Sequence, residues 1–108
     1  MATANTVKQS KPSAATLTAI YTVPAATSAI CSTITVCNQS SVATAFRISV
    51  APAGAADATS QYLYYDVAIP GNDTFAATLG FALATTDVVR VYNTLATLSF
   101  SLFVQETT

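Results

Sequence analysis

The sequence predicts an all-β domain: a single antiparallel β-sandwich, jelly-roll-like or immunoglobulin-like, of about seven to eight strands. Three observations lead there. Apolar residues recur at every second position in several runs, no run carries the 3.6-residue period of a helix, and the runs are separated by short clusters of Gly, Pro, Asn, Asp and Ser. The clearest run is the last, in which Leu98, Phe100, Leu102 and Val104 alternate with Ser99, Ser101 and Phe103.

Residues 1–15 are polar or small, lack a period and end at Pro12-Ser13. They read as an extended N-terminal arm ahead of a sandwich domain over residues 16–108. Thr16 to Val23 is the first strand, with Leu17, Ala19, Tyr21 and Val23 on one parity, and Pro24-Ala25-Ala26 ends it. Ser28 to Val50 reads as a central hairpin turning at Asn38-Gln39-Ser40-Ser41, with Ile30, Ile34 and Val36 of its first strand and Phe46, Ile48 and Val50 of its second on one face. The small residues Ala51 to Asp57 form a loop. In the next strand, Gln61 to Ile69, the alternation sets Leu63, Tyr65, Val67 and Ile69 inward against Tyr62, Tyr64 and Asp66. Pro70-Gly71-Asn72-Asp73 is a turn. From Phe75 the period runs through Ala77, Leu79 and Phe81 to Leu83, with Gly80 marking a bend or bulge. Thr85-Thr86-Asp87 turns into Val88 to Tyr92, and Asn93-Thr94 leads to the final strand. A strand donated by the arm would complete an eight-stranded jelly roll.

Composition bounds the function. The chain has 108 residues, enough for one domain with one modest core. Hydrophobic residues make up 52% and charged residues only 8%. A surface so poor in charge offers little repulsion between copies, so an assembled state is expected. Four basic and five acidic residues leave a net charge of −1, and Lys8, Lys11, Arg47 and Arg90 form no basic stripe, so nucleic acid is not an expected partner. No apolar run is long enough to span a membrane, and the N-terminus lacks the apolar core of a signal peptide.

No reaction chemistry is legible. Histidine is absent, which removes the usual general base and the Ser-His-Asp arrangement. Asp57, Asp66, Asp73, Asp87 and Glu106 fall mainly at turns and strand ends, where a carboxylate caps backbone N–H groups. Cys31 and Cys37 lie on one strand at a separation of roughly 20 Å, beyond disulfide reach, and read as free thiols on the face opposite Ile34 and Val36. No cofactor, metal or catalytic residue is expected, and the chain is not expected to be an enzyme. Asn38-Gln39-Ser40 and Asn72-Asp73-Thr74 match the glycosylation acceptor pattern but are explained by turn chemistry.

The expected working surface is therefore an interface. Tyr62 and Tyr64 would share an outward face, with Phe103 as a third exposed aromatic; such a face is a contact surface, a sugar-stacking platform or a second buried layer. Arg47 and Arg90 also fall on outward positions, available for carboxylates across an interface or for intrachain pairs with Asp66 or Asp87. Lys8 and Lys11 supply the cations of the arm.

The segments Ile20-Tyr21-Thr22-Val23-Pro24-Ala25, Val36-Cys37-Asn38-Gln39-Ser40, Phe46-Arg47-Ile48-Ser49-Val50, Pro52-Ala53-Gly54-Ala55, Tyr62-Leu63-Tyr64-Tyr65-Asp66 and Gly71-Asn72-Asp73-Thr74 resemble those of small tailed-bacteriophage virion proteins. The resemblance spans roughly residues 17–105. It implies a non-enzymatic, homo-oligomeric virion subunit, a capsid cement or decoration protein or else a neck, tail or baseplate part, made in the host bacterial cytoplasm. Its implied partners are copies of itself and other virion proteins, such as the major capsid protein. From a different class, a carbohydrate-binding module using Tyr62 and Tyr64 is the alternative.

Overall fold

The chain doubles back at the loop between residues 51 and 62, and each strand before that loop pairs with its counterpart after it. In the computed structural model, which describes residues 2–108, β4 (Thr44–Ala51) pairs with β5 (Tyr62–Ile69) and β3 (Ser28–Asn38) with β6 (Thr74–Leu83). Likewise β2 (Thr18–Thr22) pairs with β7 (Val88–Asn93) and β1 (Thr3–Ser10) with β8 (Leu98–Thr107), all antiparallel. Two further pairings, β3 with β8 and β4 with β7, gather these ribbons into two four-stranded sheets ordered β1-β8-β3-β6 and β2-β7-β4-β5. A long hairpin rolled into two facing sheets is the jelly-roll arrangement, and this order replaces the immunoglobulin-like option.

The expected central hairpin is not one. β3 and β4 belong to different sheets, and the segment between them crosses the end of the sandwich. Buried Asn38 holds that crossing: its Nδ2 donates to Val42 O at 2.9 Å and Pro70 O at 3.1 Å, while its Oδ1 accepts from Ser40 N at 3.1 Å. The crossing then lies against the turn before β6, where Asn72 N donates to Ser40 O at 2.8 Å. Gly71 is the point of closest approach.

The inward faces also differ from a simple alternation, because extra residues change its phase. A bulge at Ser32 turns Ala29 and Cys31 inward with Ile34 and Val36 and leaves Ile30 outside. Opposite it Leu79 and Gly80 bulge from β6, Gly80 at φ 65°, so Leu79 is exposed. In β5 the register shifts on both sides of its pairing with Ile48, so Tyr64 points inward while Leu63 and Tyr65 point outward. Ile20 does the same in β2, separating outward Ala19 from buried Tyr21. Cys31 is therefore a core residue; Cys37 is half-buried, and both thiols are free.

Within the N-terminal arm, Thr3–Ser10 form the edge strand β1, registered residue by residue on β8, which is the eighth strand the arm was expected to donate. The cause is non-local. Without β1, the outer backbone edge of β8 would present a row of unpaired N–H and C=O groups, and the arm supplies their partners. Met1 lies outside the described residues.

The core between the sheets is built by Phe46, Ile48, Val89 and Val91 on one side and Ile34, Val36, Phe100 and Leu102 on the other, all buried. Seven strands contribute to this cluster. β1 contributes no residue to it.

Two outcomes follow from this packing. A Cβ on Gly71 would stand 2.1 Å from Ser41 O, against backbone that cannot step aside; Gly71→Ala should lower unfolding free energy in urea titration by roughly 1–3 kcal/mol, the usual cost of overpacking. Burial pushes the Cys31 thiol up to about 12 from 9.0. The unfolded chain then sheds this proton from pH 9 while the folded chain keeps it to about 12, so the buried thiol's contribution is intact below pH 9 and is lost as pH rises toward 12. Stability measured across that window should fall less steeply in Cys31→Ala than in the parent.

Candidate functional site

The outer face of the β2-β7-β4-β5 sheet gathers the arginines and tyrosines. Arg47 on β4 lies directly opposite Tyr92 on β7. Its guanidinium is clamped between two rings, 4.2 Å from the centroid of Tyr65 and 4.6 Å from that of Tyr92. Its fork meets Asp66, Nε donating to Oδ1 at 2.6 Å and Nη2 to Oδ2 at 3.2 Å. The β5 bulge makes this possible: two residues, Tyr65 and Asp66, stand opposite Arg47 alone, and Asp66 takes a left-handed φ of 52°. Hydrogen bonding to the Asp66 carboxylate raises the Arg47 pKa further above its ordinary value, and the side chain stays charged. Tyr62 stands edge-on to Tyr65 at 5.1 Å and donates its hydroxyl to Asp57 at 2.9 Å. Partial burial, then the Asp57 bond, raises the Tyr62 pKa, so that phenol remains protonated.

Arg90, opposite Ser49 on the same face, does not pair with Asp87. It donates to Ala55 O at 2.9 Å and Gly54 O at 3.5 Å, clasping the β4–β5 loop onto the sheet. Asp87 secures that loop and its own turn, accepting from Ala53 N and Ala84 N, each at 2.9 Å. The loop roofs part of the face, with Gly54 packed over Val88.

Of the seven expected interface residues, the fold brings three together: Arg47, Tyr62 and Arg90. Tyr64 is a correction, because the β5 bulges turn it inward against Phe75 at 5.2 Å and Phe46 at 6.3 Å. The pair Tyr62–Tyr64 thus forms no shared stacking platform. Phe103 is exposed as expected, but on the other sheet. Lys8 sits on β1 with its ammonium 5.7 Å from the Tyr21 ring, whose hydroxyl donates to Glu106; exposed Lys11 lies just beyond β1. The intrachain pair with Asp66 is among the expected arrangements, whereas Tyr65 and Tyr92 are the members that sequence reasoning missed. Tyr92 was findable, since Arg90 and Tyr92 share a parity on β7; Tyr65 was hidden by the bulge.

The outer face of the β1-β8-β3-β6 sheet is of another kind. Register places Asn5, Val7 and Gln9 beside Gln105, Phe103, Ser101 and Ser99, then Ile30, Thr33, Thr35 and Cys37, then Ala82, Thr78, Ala76 and Thr74. None of these carries a charge. Val7 and Phe103 stand directly opposite each other, 45% and 41% exposed, and Ile30 on β3 is 49% exposed. A shallow depression beside them is lined by Asn5, Val7, Ser32, Phe103 and Gln105.

Among the described residues no three His, Cys, Asp or Glu side chains gather in a way that could hold a metal, and no helix is long and apolar enough to cross a membrane. Each carboxylate accepts a hydrogen bond within the fold: Asp57, Asp66, Asp87 and Glu106 as above, and Asp73 from Thr74 N at 2.8 Å. No protein-family model matches the chain, and the search of curated proteins returns no match.

The Arg47 clamp is flat, so geometry matters there beyond charge. Arg47→Lys and Arg47→Gln should each lower stability by about 1 kcal/mol, a half-exposed pair being worth little and stacking on two rings adding the rest. Full rescue by lysine in thermal unfolding would show that charge alone sufficed.

Proposed function

We propose that this chain is a non-enzymatic structural subunit of a tailed-bacteriophage virion, a capsid cement or decoration protein that assembles with copies of itself and with neighbouring particle proteins. The observation that carries this reading is the charge-free outer face of the β1-β8-β3-β6 sheet, which exposes Val7, Ile30 and Phe103 among Thr, Ser, Ala and Gln. Burial of such a face desolvates no ion, and its exposed apolar groups gain from being covered. The jelly-roll order and the segments that resemble small virion proteins support the same reading. The role is mechanical: many copies multiply a weak contact into stable attachment.

The magnitude of that contact is limited. Four strands about 4.8 Å apart and mostly some ten residues long at about 3.3 Å make a face of roughly 600 Å², short of the ~800 Å² per partner of a standard stable interface. Avidity or a second contact must complete the attachment. A neck, tail or baseplate position uses the same surface equally well and differs in where the copies lie.

Phe103→Lys should leave the monomer's unfolding midpoint nearly unchanged, since the side chain is exposed, and should reduce incorporation into particles severalfold through the cost of burying an ammonium. Mass spectrometry of purified particles measures incorporation, and cryo-electron microscopy of the same particles locates the sandwich. Symmetric copies on the capsid are the expected result; particles devoid of the protein would overturn the reading.

A further inference from the structure

β1 is bound differently from every other strand of the sandwich. Its eight residues pair with Phe100 to Thr107 of β8, yet no residue of β1 is buried and none belongs to the core. Its inward side chains are Ala4, Thr6, Lys8 and Ser10, opposite Glu106, Val104, Leu102 and Phe100. Lys8 over the Tyr21 ring ties β1 to the facing sheet, and Gln9 Nε2 reaches Ser101 Oγ at 3.4 Å. The strand is therefore held mostly by backbone hydrogen bonds, which any chain with the same β8 edge would offer equally.

The connection to β2 adds a reason to move. In this connection, residues 11–17, Pro12 is buried and Ala15 N donates to Asn93 O at 2.9 Å. Ser13–Thr16 are nevertheless exposed, and Ala15 has a left-handed φ of 51°, unfavourable for a residue with a Cβ, so one backbone hydrogen bond opposes that strain. Extending the chain at this point relieves that strain. Fully extended, four residues reach about 14 Å, enough to pass to a copy in contact but not to a distant one.

We propose that β1 exchanges between copies, leaving its own β8 and pairing with β8 of a second copy of this chain in the same register. The occupant is a second copy because the register of β1 on β8, Thr3 with Thr107 through Ser10 with Phe100, is reproduced by an identical β8 without any new complementarity. The low charge of the chain leaves little to oppose the approach. Exchange supplies the second contact that the small uncharged face lacks; this inference rests on the assembly reading above and names its partner.

The test uses two full-length versions in a Cys37→Ser background, in which Cys31 stays buried. One carries Asn5→Cys with an affinity tag, the other Gln105→Cys without it; the two positions face each other across β1 and β8. Mixed, incubated and gently oxidised, they should form the 5–105 disulfide heterodimer at least about tenfold in excess of 5–5 and 105–105 homodimers, since exchange raises the effective concentration of the matched thiols toward millimolar. Peptide mass mapping reads the linkage, and Gln9→Cys with Ser101→Cys repeats the test four residues along β1 on the same face. A heterodimer yield equal to that of the random homodimers in both versions overturns exchange. A single chain carrying both Asn5→Cys and Gln105→Cys, oxidised so that β1 is locked to its own β8, distinguishes this failure from that of the function. Wild-type chain present in particles with the locked chain incorporated equally well sinks exchange alone; absence of the wild-type chain sinks the assembly reading.

Discussion

Phe46 joins the two sheets. From β4 it meets Phe75 on β6 at 5.1 Å and Phe100 on β8 at 6.3 Å, both in the facing sheet, and Tyr64 on β5 at 6.3 Å in its own. Rings at tilted or edge-on angles fill the space between twisted sheets better than aliphatic chains of equal number, and each pair adds attraction beyond its buried area. The long doubled ribbon can roll up because this cluster rewards bringing β4–β5 over β3–β6. The crossing at Asn38, the close approach at Gly71 and the inward turn of Tyr64 all serve that closure.

With the core so placed, the two outer faces are free to differ. One is occupied by the chain itself: the β4–β5 loop lies on it under the Arg90 clasp, and the Arg47 fork is consumed by Asp66 and two tyrosine rings. Its polar groups are largely committed within the fold, which makes it rigid more than adhesive. The other has no charge and no roof, and its edge strand adds hydrogen bonds but no core residue. The buried core thus resides in seven strands, and the uncharged sheet is bounded by the eighth.

Much of this was legible in the sequence. Period-2 alternation located β2 to β8, most of their turns and the β6 bulge at Gly80. The phase of the strands was less legible, because a single extra residue at Ser32, Ile20 or Leu63 flips everything beyond it and no local residue type announces it. That is why Tyr64 and Tyr65 exchange faces, and why Cys31 lies in the core while Cys37 does not. The polar segment Asn38 to Ser41 fits a hairpin turn and a crossing between sheets equally well; only the pairing of β3 with β6 and β8 decides. The arm's fate likewise depends on β8, at the far end of the chain, and low hydrophobicity reports correctly that β1 has no place in the core without revealing that it has a place at the edge.

The fold is a seven-stranded body with a separately held eighth strand. Native-state hydrogen exchange of the monomer, read amide by amide, measures this directly, because strands that open alone exchange before the body unfolds. The β1 amides that donate to β8 should exchange on the order of a hundredfold faster than those joining β3 to β8, with their rates insensitive to mutations in the Phe46 cluster. Protection in β1 equal to that of β3, lost only with global unfolding, would contradict the account.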